Sequence, residues 1–442
     1  MRTRSGLWRL LALLLAFSLV AAACGDDDGD DEGSGSETTE AGEGEGEGEG
    51  EGEEVEANFD TESLTIGTLL PETGQLAFLG PPMVEGVNMA IRDINEAGGV
   101  LGSDVTLIQG DDGTDPDVAN TTVDRLIGTE GVNAIVGAAA SGITRQVVDK
   151  ITGAGVLQCS PSNTAADLRG AGNDGFYFRT APSDDLQGPV LAEYVIDDGY
   201  ANIAVLVRAD EYGAGFADFL VPALEEGGAT VVYNEQYDPQ ATNFDAEVQA
   251  IAAENPDAVV LISFEEGVQI AQAMIEAGIG PDTVPLYIAD GLASGDLGER
   301  INADDPSVAF GIKGTQPSAA PESGASFFPD AFAEFAPDTD VIYSSQAYDC
   351  AILIALAAEA AGSADPAEIR DNMEAVSTGG TKCSTFAECM ELLADGEDID
   401  YDGASGPIEL DGSDPSVGSY DLYEYGEDGE QTVLRQVVAE VE

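Results

Sequence analysis

Four short stretches of this 442-residue chain carry side chains suited to holding a small charged molecule. Gly137-Ala138-Ala139-Ala140-Ser141-Gly142 and Cys159-Ser160-Pro161-Ser162-Asn163-Thr164 each follow an apolar run and offer hydroxyls. Asp210-Glu211-Tyr212-Gly213 offers an aromatic ring with a hydroxyl, and Asp290-Gly291 a carboxylate. Backbone N–H groups at a helix start beside Ser141 favour a bound carboxylate. A buried Asp290 favours an ammonium. The set is the complement of a small zwitterion. Ser141 and Thr164 also fit a plainer role, as caps of the helices that follow them.

Other chemistry is excluded by what is missing. The chain has no histidine, which removes Ser-His-Asp and Cys-His catalysis and any His-ligated metal site. It has 85 Asp and Glu against 15 Lys and Arg, a formal net charge of −70. Such a surface repels nucleic acid and anionic membranes. The 43% of hydrophobic residues are enough for a sizeable core, and the length implies more than one folding unit.

The elements that must position the four stretches alternate. Residues 64–70, 105–108, 134–136 and 156–157 read as strands. Val84, Val87, Ile91 and Ile94, and later Ile143, Val147 and Ile151, have helical spacing. Gly98-Gly99 stops the first helix, and Asp115-Pro116 reads as an N-cap with proline at the first helical position. A second series follows, with helices at 190–196, 216–224, 246–253 and 268–277 and strands at 203–207, 230–233, 258–262 and 285–288. This alternation predicts an α/β fold of two doubly wound parallel-sheet lobes, with ligands beyond the carboxyl ends of the strands.

The first 60 residues read differently. Residues 1–23 have Arg2, Arg4 and Arg9 followed by an apolar run at 10–20, which is an export signal rather than a membrane span. Ala21-Ala22-Ala23-Cys24 resembles a lipoprotein processing site, which would make Cys24 the lipid-modified first residue, although Ala21 stands where leucine is more usual. An ordinary cleavage with Cys24 incidental is the alternative. Residues 24–60 form an acidic tether with a Gly-Glu alternation and almost nothing to bury, so extended, disordered chain is expected. Removing the leader's three arginines and the sixteen acids of residues 25–56 leaves 69 acids and 12 bases. Only three of those bases are lysines, Lys150, Lys313 and Lys382. The acidity therefore belongs to the folded part as well, and suggests adaptation to salt.

An ordered set of segments carries a more specific signal. Asp93-Ile94-Asn95-Glu96-Ala97-Gly98-Gly99, Asp111-Asp112-Gly113-Thr114-Asp115-Pro116, Ser160-Pro161-Ser162-Asn163-Thr164, Phe178-Arg179-Thr180, Gln187-Gly188-Pro189, Tyr212-Gly213 and Ala347-Tyr348-Asp349 resemble the leucine/isoleucine/valine-binding receptors of bacterial ABC importers, in that family's order. The resemblance implies the type I periplasmic-binding-protein fold, two lobes joined by three hinge crossovers. Residues 61–182 and 315–411 would form lobe 1, and 183–314 and 412–442 lobe 2. It implies that Ser141 and Thr164 bind the ligand carboxylate, that the Ser162 carbonyl and Asp290 take the ammonium, that Tyr212 closes from lobe 2 and that Phe78 lines the side-chain pocket. Phe264 or Glu265 falls where the family often has an aromatic; a Glu265 facing the pocket would mean a more polar ligand.

By the same resemblance the protein is no enzyme and needs no cofactor or metal. Its partners would be a small-molecule ligand, an ABC permease with its ATPase, and the membrane through a lipid anchor on Cys24, at the outer face of the cell membrane. Sensing without transport, and urea or short amides as ligands, are alternatives. A hydrolase with paired carboxylates is disfavoured, since only Asp290 and Glu265 stand at strand ends.

Four cysteines remain beyond the leader. Cys383 and Cys389 are close enough in sequence to staple a loop, which leaves Cys159 to pair with Cys350; free buried thiols are the alternative. The family's frequent early disulfide is absent, with Thr114 and Ala140 in its positions. Asp398, Asp400, Asp402 and Glu409 formally match a calcium-loop pattern, but Ser405 and Gly406-Pro407 fit it poorly. An acidic surface turn before a strand at 408–410 is the favoured expectation.

Overall fold

The computed structural model describes residues 57–321 and 324–440. The expected leader, Cys24 and the tether up to residue 56 lie outside the described residues. The first sheet is built from β1 (Thr65–Leu69), β2 (Thr106–Ile108), β3 (Ala134–Gly137), β4 (Leu157–Ser160) and β5 (Tyr177–Arg179), all parallel, in the order β2-β1-β3-β4-β5. Helices α1 (Gly80–Glu96), α2 (Pro116–Arg125) and α3 (Ser141–Gly153) connect them. Asp115 caps α2, accepting the N–H groups of Asp117 and Val118, with Pro116 at the first helical position.

After β5 the chain crosses to a second sheet through α4 (Asp184–Asp197). There β6 (Asn202–Arg208), α5 (Glu211–Glu226), β7 (Thr230–Tyr237), α6 (Asp245–Glu254), β8 (Ala258–Ile262), α7 (Gly267–Glu276), β9 (Leu286–Ile288), α8 (Leu297–Ile301) and β10 (Lys313–Pro317) follow. The five strands are again parallel, in the equivalent order β7-β6-β8-β9-β10. β3, β4 and β8 are buried at every residue, as strands covered on both faces must be.

The chain then returns to the first lobe with α9 (Phe328–Phe335), α10 (Ser344–Ala361), α11 (Pro366–Met373), β11 (Thr381–Cys383), α12 (Phe386–Asp395), β12 (Ile399–Gly403), β13 (Gly406–Pro407), β14 (Leu410–Asp411) and β15 (Asp414–Pro415). α10 packs on α1, α11 and α12 and is buried along most of its length. A third crossing leads to β16 (Val417–Tyr425) and β17 (Gln431–Glu440), which add antiparallel strands beside β10.

Two disulfides are present. Cys159–Cys350 ties β4 to α10 with Cα atoms 5.8 Å apart, and Cys383–Cys389 closes the turn from β11 into α12 at 5.3 Å. The acidic segment at 398–409 forms the β12–β13 hairpin rather than an open turn, and the short strand after it is Leu410–Asp411. Lys382 neutralises Asp402 and Asp400 there, at 2.8 and 3.2 Å. Among the described residues no group of three or more Asp, Glu, His or Cys side chains is arranged to hold a metal ion.

Candidate functional site

In each sheet the strand order reverses once, between β1 and β3 in lobe 1 and between β6 and β8 in lobe 2. Crevices form beyond the carboxyl ends of strands at such points. The two crevices face each other and share one cavity. Lobe 1 contributes Leu76, Leu79, Ala139, Ala140, Ser141, Ser162, Thr164 and Tyr343; lobe 2 contributes Tyr212, Phe264, Asp290 and Gly291. The walls approach closely, leaving about 10 Å³ open to the centre of a water-sized sphere.

Five of the six residues expected around a ligand, Ser141, Ser162, Thr164, Tyr212 and Asp290, meet at this cavity. Phe78 is not among the lining residues. Leu76 and Leu79, on either side of it, face inward, while the Phe78 ring lies under the Arg300 guanidinium, 4.5 Å from its centroid. That places a cation–π contact between the lobes where a pocket wall was expected. Arg300 also bonds Ser294 Oγ at 2.7 Å and pairs with Glu265, whose side chain is half exposed. Phe264 is therefore the aromatic at the site, stacked on Tyr212 with centroids 5.3 Å apart. Arg208 lies over the Phe264 ring, 3.5 Å from its centroid.

Asp290 is buried where β9 ends. Its Oδ1 accepts from Gln187 Nε2 at 2.8 Å and the Tyr212 hydroxyl at 3.1 Å, and its Oδ2 from the Tyr343 hydroxyl at 2.8 Å. Burial pushes its pKa up, and these three donors pull part of that shift back. Burial and the Asp290 charge together hold the Tyr212 and Tyr343 hydroxyls well above the ordinary tyrosine range, so both remain donors. Gly291 is required beside them: a Cβ there would stand 2.7 Å from the Ser263 carbonyl and 2.9 Å from the Tyr212 and Phe264 rings.

The lobe 1 wall presents uncharged groups to the cavity. Ser141 begins α3, but the cap position is Ala140 and no side chain caps the helix. The Ser141 Oγ instead accepts the Ala165 N–H at 3.3 Å, so helix capping does not account for it. Asn163 donates to the Ala139 carbonyl at 2.7 Å, and Ser160 to the Ala138 carbonyl at 2.7 Å. Behind this loop the fully buried Arg179 donates to the Asn163 and Ala165 carbonyls at 3.1 and 2.9 Å. Its other nitrogens make a bidentate pair with Asp414, at 3.0 and 2.5 Å.

Sequence reasoning missed Tyr343, Gln187 and Asp184. Tyr343 precedes α10 with a left-handed φ of 59°, a conformation that only the chain's path reveals. Asp184 is fully buried in the first turn of α4, and its N–H donates to the Thr164 carbonyl at 2.7 Å. Asp184 and Gln187 are three residues apart on α4, hence on one face, which a search for acid and amide at helical spacing would have found.

The family model for periplasmic binding proteins matches residues 63–386. A chemotactic signal transduction system substrate-binding protein, BasB, of Halobacterium salinarum is 28% identical over 84% of this chain and 89% of its own length. The Leu/Ile/Val-binding protein BraC3 of Rhizobium johnstonii is 29% identical over 69% of this chain and 81% of its own. Among solved structures, the branched-chain amino acid transporter substrate-binding protein LivJ of Streptococcus pneumoniae, in complex with isoleucine, superposes with a TM-score of 0.71. It covers 86% of this chain and 100% of its own at 22% identity. The family and these relatives are substrate-binding proteins, not enzymes, and the family implies a place outside the cytoplasm. With two equivalent lobes meeting at their switch points, the chain belongs to the periplasmic binding protein family and is a solute-binding receptor of the type I fold.

Proposed function

We propose that the protein is a lipid-anchored receptor that captures a small α-amino acid by closing its lobes and delivers it to an ABC permease with its ATPase. The observation that carries this reading is the polarity of the cavity. At one end the buried Asp290 is ringed by donors; at the other stand the hydroxyls of Ser141 and Thr164 and the start of α3. A zwitterion satisfies both ends, with its carboxylate at Ser141 and Thr164 and its ammonium at Asp290 and the Ser162 carbonyl. Leu76, Leu79, Phe264 and Tyr212 supply apolar surface for a branched side chain. So little space separates the walls that a solute larger than a water enters only when the lobes part, which makes closure the binding step.

A thermal-shift panel tests this reading. L-Leucine, L-isoleucine, L-valine and L-alanine are expected to raise the melting temperature, and urea, acetamide and benzoate are not. Stabilisation by benzoate or urea but by no amino acid rejects it. The anchor is tested with a fatty-acid analogue: wild-type chain takes the label, and a Cys24→Ser chain that is still labelled rejects lipidation at that residue. The BasB relative favours a second reading, ligand sensing without transport. Loss of labelled-leucine uptake on deleting the gene supports transport; intact uptake with a lost behavioural response supports sensing.

A further inference from the structure

The Asp184 carboxyl is wholly buried, and neither of its oxygens has a hydrogen-bond partner. Every other acid at the site is partnered: Asp290 has three donors, and Asp414 has Arg179. Asp184 lies directly behind Thr164, joined to it through the backbone at 2.7 Å. The Thr164 hydroxyl is near enough to favour the ionised form of Asp184, without meeting the geometry of a hydrogen bond.

The groups facing Asp184 do not provide a spare cation. From its own helix come Asp185 and, one turn on, Gln187, which is committed to Asp290 and Thr315 of β10. From β5 comes Arg179, already paired with Asp414. Asp290, Tyr212 of α5, Tyr343 and Tyr420 of β16 complete the surroundings. Lys313 of β10 and Arg435 of β17 pair with Asp198 and Asp197 at the other end of α4. Two buried carboxylates this close cannot both be ionised without a compensating charge. Asp290 has the donors, so the proton falls to Asp184. Burial first, and then the Asp290 charge, push Asp184 well above the ordinary carboxyl range.

A threonine has one O–H to give. An ionised Asp184 would draw that proton to itself and would repel an incoming carboxylate. A protonated Asp184 donates to the Thr164 oxygen, and the Thr164 proton turns toward the cavity. We propose that Asp184 is a positioning residue of the binding site: it stays protonated behind Thr164 and directs that hydroxyl at the ligand carboxylate. Binding of the acid end then depends on a proton that the ligand never touches. The idea rests on the amino-acid reading given above, which places a carboxylate at Thr164.

The test uses the full chain labelled with carbon-13 at the aspartate carboxyl, the Asp184 signal being identified by its loss in Asp184→Asn. Its carbon is expected at the shift of a protonated acid at neutral pH. Calorimetry with L-leucine from about pH 5 to about pH 9 then reads the linkage. Wild-type affinity falls about tenfold per pH unit above the point where that carbon titrates, as loss of one proton requires. Asp184→Asn, whose amide still donates, binds within about threefold of wild type at the acid end and shows no such slope. Asp184→Ala loses at least about tenfold throughout. An ionised Asp184 at neutral pH, or an Asn variant with the wild-type slope, overturns the proposal. If leucine does not bind the wild type, the amino-acid reading fails, whereas an ionised Asp184 overturns this proposal alone.

Discussion

The two walls of the cleft differ in the groups they present. Lobe 1 presents neutral donors and backbone, and keeps its ionic machinery behind the loop, where Arg179 and Asp414 are paired out of reach of the cavity. Lobe 2 puts an acid in the wall itself, with tyrosine hydroxyls around it and an arginine-capped aromatic stack beside it. The difference teaches where precision comes from. Hydroxyls and N–H groups bind an anion only when held in place, so lobe 1 needs a rigid support. A carboxylate attracts an ammonium over a wider range of geometries, so on the amino-acid reading lobe 2 could shift and still hold the ligand.

The sharpest way to break this contrast is to remove the support. Arg179→Ala leaves Asp414 buried without its main partner, and is expected to lower stability by about 3–5 kcal/mol in urea unfolding. Arg300→Ala, at the cleft rim, breaks the pair with a half-exposed Glu265 and the cation–π contact with Phe78, and should cost less, about 1–2 kcal/mol. Equal losses would mean that the buried pair is no more important than the rim. The disulfides come next. Cys159–Cys350 spans 191 residues of sequence and Cys383–Cys389 spans 6, so in the chain-entropy account removing the first by paired alanines costs about 5 kcal/mol and the second about 2. The first bond also ties β4, which leads into the Ser162–Thr164 loop, to α10, which follows Tyr343. Its loss should weaken leucine binding as well, and that of the second should not.

The walls themselves are compared with paired ligands. Thr164→Ala and Asp290→Asn should each weaken leucine binding at least tenfold, the effect of a lost charge-assisted hydrogen bond of about 1.5–3 kcal/mol. The two variants differ in what they stop distinguishing. Thr164→Ala loses the preference for leucine over leucinamide, which lacks the acid, while Asp290→Asn loses the preference over isocaproate, which lacks the amine. Calorimetric affinities unchanged in both variants reject the site.

Much of this contrast was legible in the sequence, because strand ends are. Apolar runs ending in Ser141, Thr164, Tyr212 and Asp290 mark the crevices, and the strand–helix alternation gives both sheets. Residues that reach the site from elsewhere were not legible. Tyr343 comes from a segment that returns to lobe 1 after a full excursion through lobe 2. Asp184-Asp185 after Ser183 reads as the ordinary acidic first turn of a helix, and nothing local signals that one of the two is fully buried. Phe78 differs in another way: the resemblance implied a place on the pocket wall, and its ring meets a guanidinium from the other lobe. Burial and inter-lobe contacts are properties of the closed fold, and single-sequence patterns carry neither.

The pH dependence of stability separates buried acidity from surface acidity. Asp112 sits behind the lobe 1 wall with Oδ1 bonded to the Thr114 N–H and Oδ2 unpartnered, and burial raises its pKa to about 7. Asp349, under the β12–β13 hairpin, is raised by burial to about 6. In the unfolded chain both titrate near the ordinary 3.8. Between that value and the raised one the folded state holds protons that the unfolded state has lost, so stability falls as pH rises. The slope is at most about 1.4 kcal/mol per pH unit for each group, and it ends near pH 7 for Asp112. The excess of surface acids gives a decline of the same sign, since repulsion grows as they ionise. Salt distinguishes the two. At about 1 M the Debye length is near 3 Å, which screens the surface but not a carboxyl inside the protein. Melting temperature against pH should therefore rise and flatten on adding salt, leaving a residual decline from the buried acids, Asp184 and Asp349 among them, whose steepness below about pH 7 Asp112→Asn reduces. An Asp112→Asn chain with the wild-type slope would mean that Asp112 ionises as an exposed acid does, and that the lobe 1 wall is not as dry as its packing implies.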